Sequence, residues 1–166
     1  WLLAGSAGMF HAATAFLPSS FTMLGVLAIW TAWLRGSYGP AIALAVYTIL
    51  LVWPFAVLLY VPLGLAALFA PEFGLLKVLR WGIGSSLLLG GADMAYNTLF
   101  YGKPLLASWE IFYYNVLQDN GGPELYGTEP PSFYAVNLAL NFNGAFVLAA
   151  ALPVRPDGHF FSPIQC

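Results

Sequence analysis

The chain has very few charged residues: five basic and seven acidic side chains, 12 in all, among 166 residues. A soluble domain usually carries about 25% charged residues, so the composition argues against an ordinary water-soluble globule. Residues 1–71 contain a single charge, Arg35. The net charge of −2 also lacks the basic footprint that nucleic acid binding requires. The composition therefore predicts an integral membrane protein, with the lipid bilayer and not nucleic acid as its partner.

Cysteine and histidine are almost absent as well. Cys166 is the single cysteine and cannot form an intrachain disulfide, and the two histidines, His11 and His159, stand alone. No spacing typical of a zinc site is present, and no Gly-rich phosphate loop followed by Lys and Ser or Thr occurs. We therefore expect no metal site.

The sequence contains several long apolar stretches. A bilayer core about 30 Å thick needs about 20 helical residues, and helices are the default there because open strands leave backbone groups unpaired. The third stretch contains Pro54 and Pro62, so it fits either one tilted span or a hairpin of two short helices. The sequence thus predicts an all-α polytopic helical bundle with about five to six spans, from apolar stretches at residues 1–17, 21–34, 41–70, 81–100 and 133–152.

The positions of the charges predict how such a bundle would be oriented. Short loops rich in Lys and Arg tend to stay cytoplasmic, which places Lys77 and Arg80 inside and leaves one long loop outside or in a lumen. The predicted organisation is transmembrane helices over 1–100, a lumenal substrate-facing loop over 101–132, a further transmembrane helix over 133–152 and a polar tail over 153–166.

Small residues recur at helical spacing in the fourth stretch. Gly82, Ser86 and Gly90 lie four apart, and small residues on one helix face let backbones approach closely in lipid. We expect this face to form a tight seam with another helix; the alternative is that it thins the helix to admit a lipid-linked substrate.

Asp93 is the first candidate for chemistry, since a carboxylate near the end of a spanning helix is costly. Two interpretations stay open: a hydrogen bond to the adjoining loop, or a place beside a polar cavity. The loop itself is the second candidate, because six of the nine tyrosines lie between Tyr96 and Tyr134. Aromatic rings beside amides and carboxylates suit sugar binding, which favours a substrate-facing loop.

Six short motifs, in order along residues 5–150, resemble one family. They are Phe16-Leu-Pro-Ser-Ser-Phe-Thr-Met23, Trp53-Pro-Phe55, Tyr101-Gly-Lys103, Tyr114-Asn-Val116, Leu125-Tyr-Gly-Thr-Glu-Pro130 and Asn137-Leu-Ala-Leu-Asn-Phe-Asn143. The chain resembles the α-1,2-mannosyltransferases of asparagine-linked glycosylation, which use dolichyl-phosphate mannose. The resemblance implies a C-type glycosyltransferase fold and a multi-pass location in the endoplasmic reticulum membrane. It also implies inverting transfer of mannose to the lumenal dolichyl-diphosphate-linked oligosaccharide, with no metal or cofactor.

The positions of these motifs imply the residues that bind substrate. Lys103 would meet the donor phosphate and Glu129 would position acceptor hydroxyls, whereas Asn137 and Asn141 would share one face of the last helix. The same amide pair could instead form a buried interhelical hydrogen bond, and residues 126–130 could be a rigid turn that shapes the loop. The implied substrate-binding residues are Lys103, Asn115, Tyr126, Thr128, Glu129, Asn137 and Asn141.

The acidic motif that supplies the family's catalytic base has no counterpart in this sequence, so the catalytic residue is not assigned. We therefore expect the chain to be a middle fragment of the enzyme, inactive without the rest. Two alternatives remain: a mannosyltransferase of the glycosylphosphatidylinositol anchor pathway, and a non-catalytic or truncated membrane protein.

Overall fold

The computed structural model describes residues 7–118 and 129–151, and almost all of these residues are helical. Two π-helical turns, Thr48–Val52 and Tyr113–Leu117, and one 3-10 turn, Pro54–Ala56, connect or extend the α-helices. The α-helices in these ranges are α1 Ala7–Thr14, α2 Pro18–Leu34, α3 Tyr38–Tyr47, α4 Val57–Phe69, α5 Gly74–Tyr101, α6 Ala107–Phe112 and α7 Pro131–Ala151.

The ends of α2 follow directly from its sequence. Pro18 occupies the first turn, where its missing N–H leaves no hydrogen bond unmade. Gly36 follows the helix with φ of 73°, a left-handed conformation that glycine adopts at little cost. The turn at Gly36 reverses the chain, so that α3 returns along α2.

The apolar stretch 41–70 is divided into two helices at Trp53 and Pro54. Trp53 is extended, as expected for a residue that precedes proline. Its N–H still donates to the carbonyl of Thr48, 2.8 Å away, which closes the π-helical turn. Of the two interpretations of this stretch, the pair of short helices is the one that the backbone adopts.

Helices α2 to α5 run up and down alongside one another and give the bundle two distinct ends. At one end Tyr38 packs against Phe73 and its hydroxyl donates to Glu72. We call this the basic end, because it also carries Arg35, Lys77 and Arg80. At the other end, the α6 end, the break between α3 and α4 lies against α6.

The core is small and lies between α2, α3 and α4. Trp33 stacks edge-on against Tyr38 with ring centroids 4.6 Å apart. A Cβ at Gly39 would overlap the indole of Trp81, so glycine there lets α5 approach α3 closely. The buried apolar residues are Ile29, Trp33, Tyr38, Ala41, Ala56, Tyr60, Leu63 and Ala67.

The predicted seam of small residues on α5 does not form among the residues that the structure describes. Within these residues nothing lies within 4 Å of a Cβ built at Gly82, and Gly90 meets only ordinary contacts at 3.8 Å from Leu50 and Leu106. The close approach of α5 is made instead through the side chain of Trp81, which fits against Gly39 of α3.

The prediction of a polytopic membrane bundle is also wrong, although the all-α part of it agrees with the structure. Within residues 7–118 and 129–151, every helix is too short or too polar to cross a bilayer. Helix α2 has 17 residues, α3 has 10 and α4 has 13. At 1.5 Å per residue even α2 reaches only about 25 Å, short of the roughly 30 Å of a hydrocarbon core.

The two longer helices do not qualify as membrane spans for a different reason. Helix α5 has 28 residues, but Lys77, Arg80 and Asp93 interrupt its apolar character. Helix α7 has 21 residues and its helical geometry breaks at Asn143, which has φ of 46° and ψ of −124°. Hydropathy along the chain does not reveal such breaks, because it measures composition and not backbone continuity.

Candidate functional site

Two polar side chains of α5 hold the connection to α6 in place. Asp93 Oδ2 accepts a hydrogen bond from the backbone N–H of Ala107 at 3.1 Å, and Asn97 Nδ2 donates to the carbonyl of Leu105 at 3.3 Å. The two side chains are one helical turn apart, so they lie on the same face of α5. Asp93 thereby accepts a hydrogen bond from the first turn of α6, as a capping carboxylate does. We call Asp93 and Asn97 the α5 clamp.

The α5 clamp fits the first interpretation of Asp93, a hydrogen bond to the adjoining loop. Asn97 is 6% exposed and is a residue that the sequence analysis missed. Its position four residues after Asp93 was the available signal, because polar residues at that spacing share a helix face.

Lys103 lies within the segment that the α5 clamp holds. Gly102 ends α5 with φ of 68°, and its N–H donates to the carbonyl of Thr98 at 2.9 Å. The chain then turns away from the helix, and Lys103 is exposed. Its ammonium forms no ion pair with any residue of the described ranges, and an ammonium is a side-chain group that can bind a phosphate.

Asn115 lies beyond α6, in the π-helical turn that extends it. Its Nδ2 donates to the carbonyl of Ile111 at 2.7 Å, which orients the amide and directs its oxygen away from that bond. Phe112 packs on Phe55 with ring centroids 6.5 Å apart, so α6 is anchored on the break between α3 and α4. An amide oxygen held in this way can accept a hydrogen bond from a sugar hydroxyl.

Asn137 and Asn141 belong to a second group of residues, on α1 and α7. Asn141 Nδ2 donates to the backbone carbonyl of Asn137 at 2.8 Å, within the helix and not between helices. A Cβ at Gly8 would lie 2.7 Å from Asn141 Cβ, so α1 approaches α7 closely at this point. The pair is thus placed by its own helix and by α1, apart from the hydrogen bonds of the α5 clamp.

Glu129 is exposed and directly precedes Pro130. Tyr126 and Thr128, the other two predicted residues of this motif, lie outside the described residues. Within the described ranges, no three His, Cys, Asp or Glu side chains come together in a way that could hold a metal ion. The described contacts therefore join Asp93 and Asn97 to the connection that carries Lys103, whereas Asn115 and Asn141 each donate within their own helical segment.

Lys103 and Asn115 each carry a side chain whose chemistry suits one kind of ligand. The cation of Lys103 suits a phosphate oxygen, and the amide of Asn115 suits a hydroxyl. The α5 clamp restrains the 102–106 segment, which reduces the entropy lost when a ligand binds to it.

The comparisons with known proteins point to one family. Residues 1–160 match the model of the Alg9-like mannosyltransferase family. The chain is 40% identical over 149 residues to the α-1,2-mannosyltransferase Alg9 of Drosophila melanogaster, which covers 90% of this chain and 24% of the relative. The chain is 38% identical over 144 residues to the mouse α-1,2-mannosyltransferase ALG9, which covers 87% of this chain and 23% of the relative. It is 31% identical over 159 residues to the Saccharomyces cerevisiae α-1,2-mannosyltransferase ALG9, which covers 89% of this chain and 28% of the relative.

The chain thus spans about a quarter of the length of the curated relatives that it matches. No solved structure matches the fold described above.

Proposed function

The chain belongs to the Alg9-like mannosyltransferase family, and from that premise we propose that its residues serve the transfer of mannose in α-1,2 linkage. The proposed donor is dolichyl-phosphate mannose, and the proposed acceptor is the dolichyl-diphosphate-linked oligosaccharide from which N-glycans are made. The single observation that carries the proposal is the match along residues 1–160, because the three relatives compared above all bear the same activity in their names. The proposed location is the endoplasmic reticulum, with dolichol-linked lipids as partners.

In the proposed reaction an acceptor hydroxyl oxygen bonds to C1 of mannose. The bond from C1 to the phosphate oxygen breaks, and dolichyl phosphate leaves with the electron pair. A general base takes the hydroxyl proton. We assign that base to no residue of this chain, because the acidic motif that supplies it in the family has no counterpart in this sequence. Neither a metal nor a cofactor is part of the proposal.

Lys103 is the residue we propose for the donor phosphate. Its exposed ammonium, two residues beyond the last residue of α5, can stabilise the negative charge that grows on the phosphate as the sugar leaves. Asn115 and Glu129 are proposed to bind hydroxyls of the glycan. Tyr126, Thr128, Asn137 and Asn141 are proposed as further substrate-binding residues on the strength of the motif resemblance, with Asp93 as a positioning residue for the Lys103 segment.

A chimeric enzyme tests the proposal. Residues 1–160 replace the matching segment of the S. cerevisiae relative, and the chimera is expressed in a yeast strain that lacks its own α-1,2 enzyme. We expect the lipid-linked oligosaccharides to regain the normal size. A chimera that is made at the parental level and leaves the shortened glycan unchanged would contradict the proposed activity.

Lys103→Gln within the chimera tests the assigned role. Loss of one charge-assisted contact to phosphate costs about 1.5–3 kcal/mol, so we expect mannose transfer to fall by about tenfold to a hundredfold. Lys77→Gln removes the same charge at the basic end and serves as the matched control, with transfer unchanged. Equal activities of the two variants would remove Lys103 from the site.

A further inference from the structure

Four aromatic rings form a continuous row from the break between α3 and α4 to the surface of α6. Trp53 packs on Phe55 with ring centroids 5.5 Å apart, and Phe55 contacts Phe112 of α6 at 6.5 Å. Phe112 in turn packs on Trp109 at 5.9 Å, with an angle of 33° between the ring planes. We call these four residues the ring row. Anchoring α6 explains the three inner rings, and it leaves the outermost ring without a role.

Trp109 is that outermost ring. Phe55 and Phe112 are partly buried, whereas Trp109 is 54% exposed, so its indole is held from the protein side and open on the other. The first turn of α6 is fixed as well, because Asp93 accepts a hydrogen bond from the N–H of Ala107. A rigid aromatic side chain placed in this way offers contact area to a ligand at a small cost in conformational entropy.

Polar side chains flank the exposed indole. Glu110 is the next residue of α6 and is exposed, and Asn115 follows Phe112 and is half-buried. Carboxylate and amide oxygens both accept hydrogen bonds from hydroxyls. A purely apolar partner would strip water from the Glu110 carboxylate, and a small polar ligand would leave the indole uncovered. A sugar ring has a face of C–H groups and a rim of hydroxyls, so it suits the ring and the polar groups together.

We propose that Trp109 stacks on a sugar ring of the acceptor glycan, other than the ring that receives mannose, and that Glu110 accepts a hydroxyl of the same sugar. This proposal takes its acceptor from the proposed function and rests on it. Six residues separate Lys103 from Trp109, and an extended chain spans at most about 3.6 Å per residue, so their Cα atoms lie within about 22 Å of each other. The stacked sugar and the proposed donor phosphate are therefore bound at the same end of the bundle.

Binding of the free oligosaccharide, released from the shortened lipid-linked acceptor, tests the stack on the purified chimera. Saturation-transfer NMR in the absence of donor measures its dissociation constant. We expect Trp109→Leu, which keeps an apolar side chain and loses the flat ring, to weaken binding about threefold to tenfold, as one aromatic contact does. Trp109→Phe keeps a ring and is expected to lose at most about twofold. Phe69→Leu is the matched control, since Phe69 is 83% exposed at the basic end.

A second variant leaves the ring row untouched. Glu110→Ala removes one acceptor for a sugar hydroxyl, and we expect it to weaken binding of the oligosaccharide by about threefold to tenfold. Amide exchange over residues 107–112 at the parental rate shows for both positions that α6 is still folded.

Steady-state kinetics separates sugar binding from a purely structural role. A stack that is equally strong before and during the reaction lowers KM without changing kcat. We therefore expect Trp109→Leu to raise KM for the lipid-linked acceptor about threefold to tenfold, with kcat and KM for dolichyl-phosphate mannose at the parental values. A variant that lost the fold of α6 would lower kcat as well.

Four results would overturn the proposal. Parental binding of the oligosaccharide by Trp109→Leu would exclude the stack, and equal losses in Trp109→Leu and Trp109→Phe would show that the ring face is not what binds. An equal loss in Phe69→Leu would indicate nonspecific contact with exposed aromatic rings. Parental binding of the oligosaccharide by Trp109→Leu, together with weaker binding to phosphatidylcholine vesicles, would assign the indole to the membrane surface.

The outcome is distinguishable from that of the proposed function, because oligosaccharide binding is measured without turnover. A chimera that binds the oligosaccharide through Trp109 and transfers no mannose would contradict the proposed function alone. A chimera that transfers mannose and binds the oligosaccharide equally well without the indole would contradict the stack alone.

Discussion

Replacing Asp93 with alanine removes the acceptor that the backbone N–H of Ala107 uses at 3.1 Å. Loss of a capping side chain costs about 1 kcal/mol, within a range of about 0.5–2 kcal/mol. For a chain of this size, 1 kcal/mol lowers the melting temperature by about 2–4 °C. The effect on α6 is more specific than this global change, because the lost bond fixes only the start of that helix.

Hydrogen exchange followed by mass spectrometry measures the local effect. If the free energy of opening at residues 102–112 falls by about 1 kcal/mol, their amide exchange becomes about fivefold faster. Asp93→Asn keeps an oxygen acceptor and is expected to show a smaller increase. Thr98→Ala is the matched control, since it removes an exposed hydrogen bond to Met94 on the same helix.

The α5 clamp would be refuted by unchanged exchange over 102–112 in Asp93→Ala. It would also be refuted by an increase that is the same for Thr98→Ala, because the cause would then be a general loosening of α5.

Two further predictions concern the basic end and the packing of α5. Gly39→Ala places a Cβ onto the indole of Trp81, and overpacking of this kind lowers the free energy of unfolding by about 1–3 kcal/mol. A chemical denaturation midpoint equal to the parent's would contradict the contact. Burial, with the hydrogen bond and charge of Glu72, raises the pKa of Tyr38 above its ordinary value of 10.0, so the folded state holds this proton more tightly than the unfolded state. The contribution of Tyr38 to the free energy of unfolding is therefore fully present below pH 10 and is lost as the pH rises through the raised pKa. Tyr38→Phe should reduce the loss of stability that begins near pH 10 and continues through the raised pKa, and an unchanged loss would exclude Tyr38 as its source.

The places where the helices end could be predicted from the sequence with fair success. Pro18, Gly36 and Pro54 act on the backbone directly, and each coincides with a helix end or a turn. The spans could not be predicted: Pro54 indicated a break in stretch 41–70, but the apolar composition did not show that the helices on either side of it are too short to cross a bilayer. The same holds for the seam on α5, where spacing identified a face of small residues but not what would pack on it.

Part of the candidate functional site could also be predicted from the sequence. The alternative in which Asp93 bonds to the adjoining loop is what the structure has, because a carboxylate near a helix end is close to unpaired backbone N–H groups. Asn97 was missed since its partner, the carbonyl of Leu105, is defined only once the chain has turned at Gly102. Lys103, Asn115 and Glu129 stay predictions as substrate-binding residues, because motif resemblance places them near a substrate that the fold alone does not define.

The linkage formed by the chimera tests the central claim most directly. The purified chimera is given radiolabelled dolichyl-phosphate mannose and the shortened lipid-linked acceptor, and the product glycan is digested with an α-1,2-specific mannosidase. Membership of the Alg9-like mannosyltransferase family predicts that the enzyme transfers label and that the digestion releases it as free mannose. Label that is transferred but resists this digestion, or no transfer by a chimera that folds as the parent does, would contradict the account.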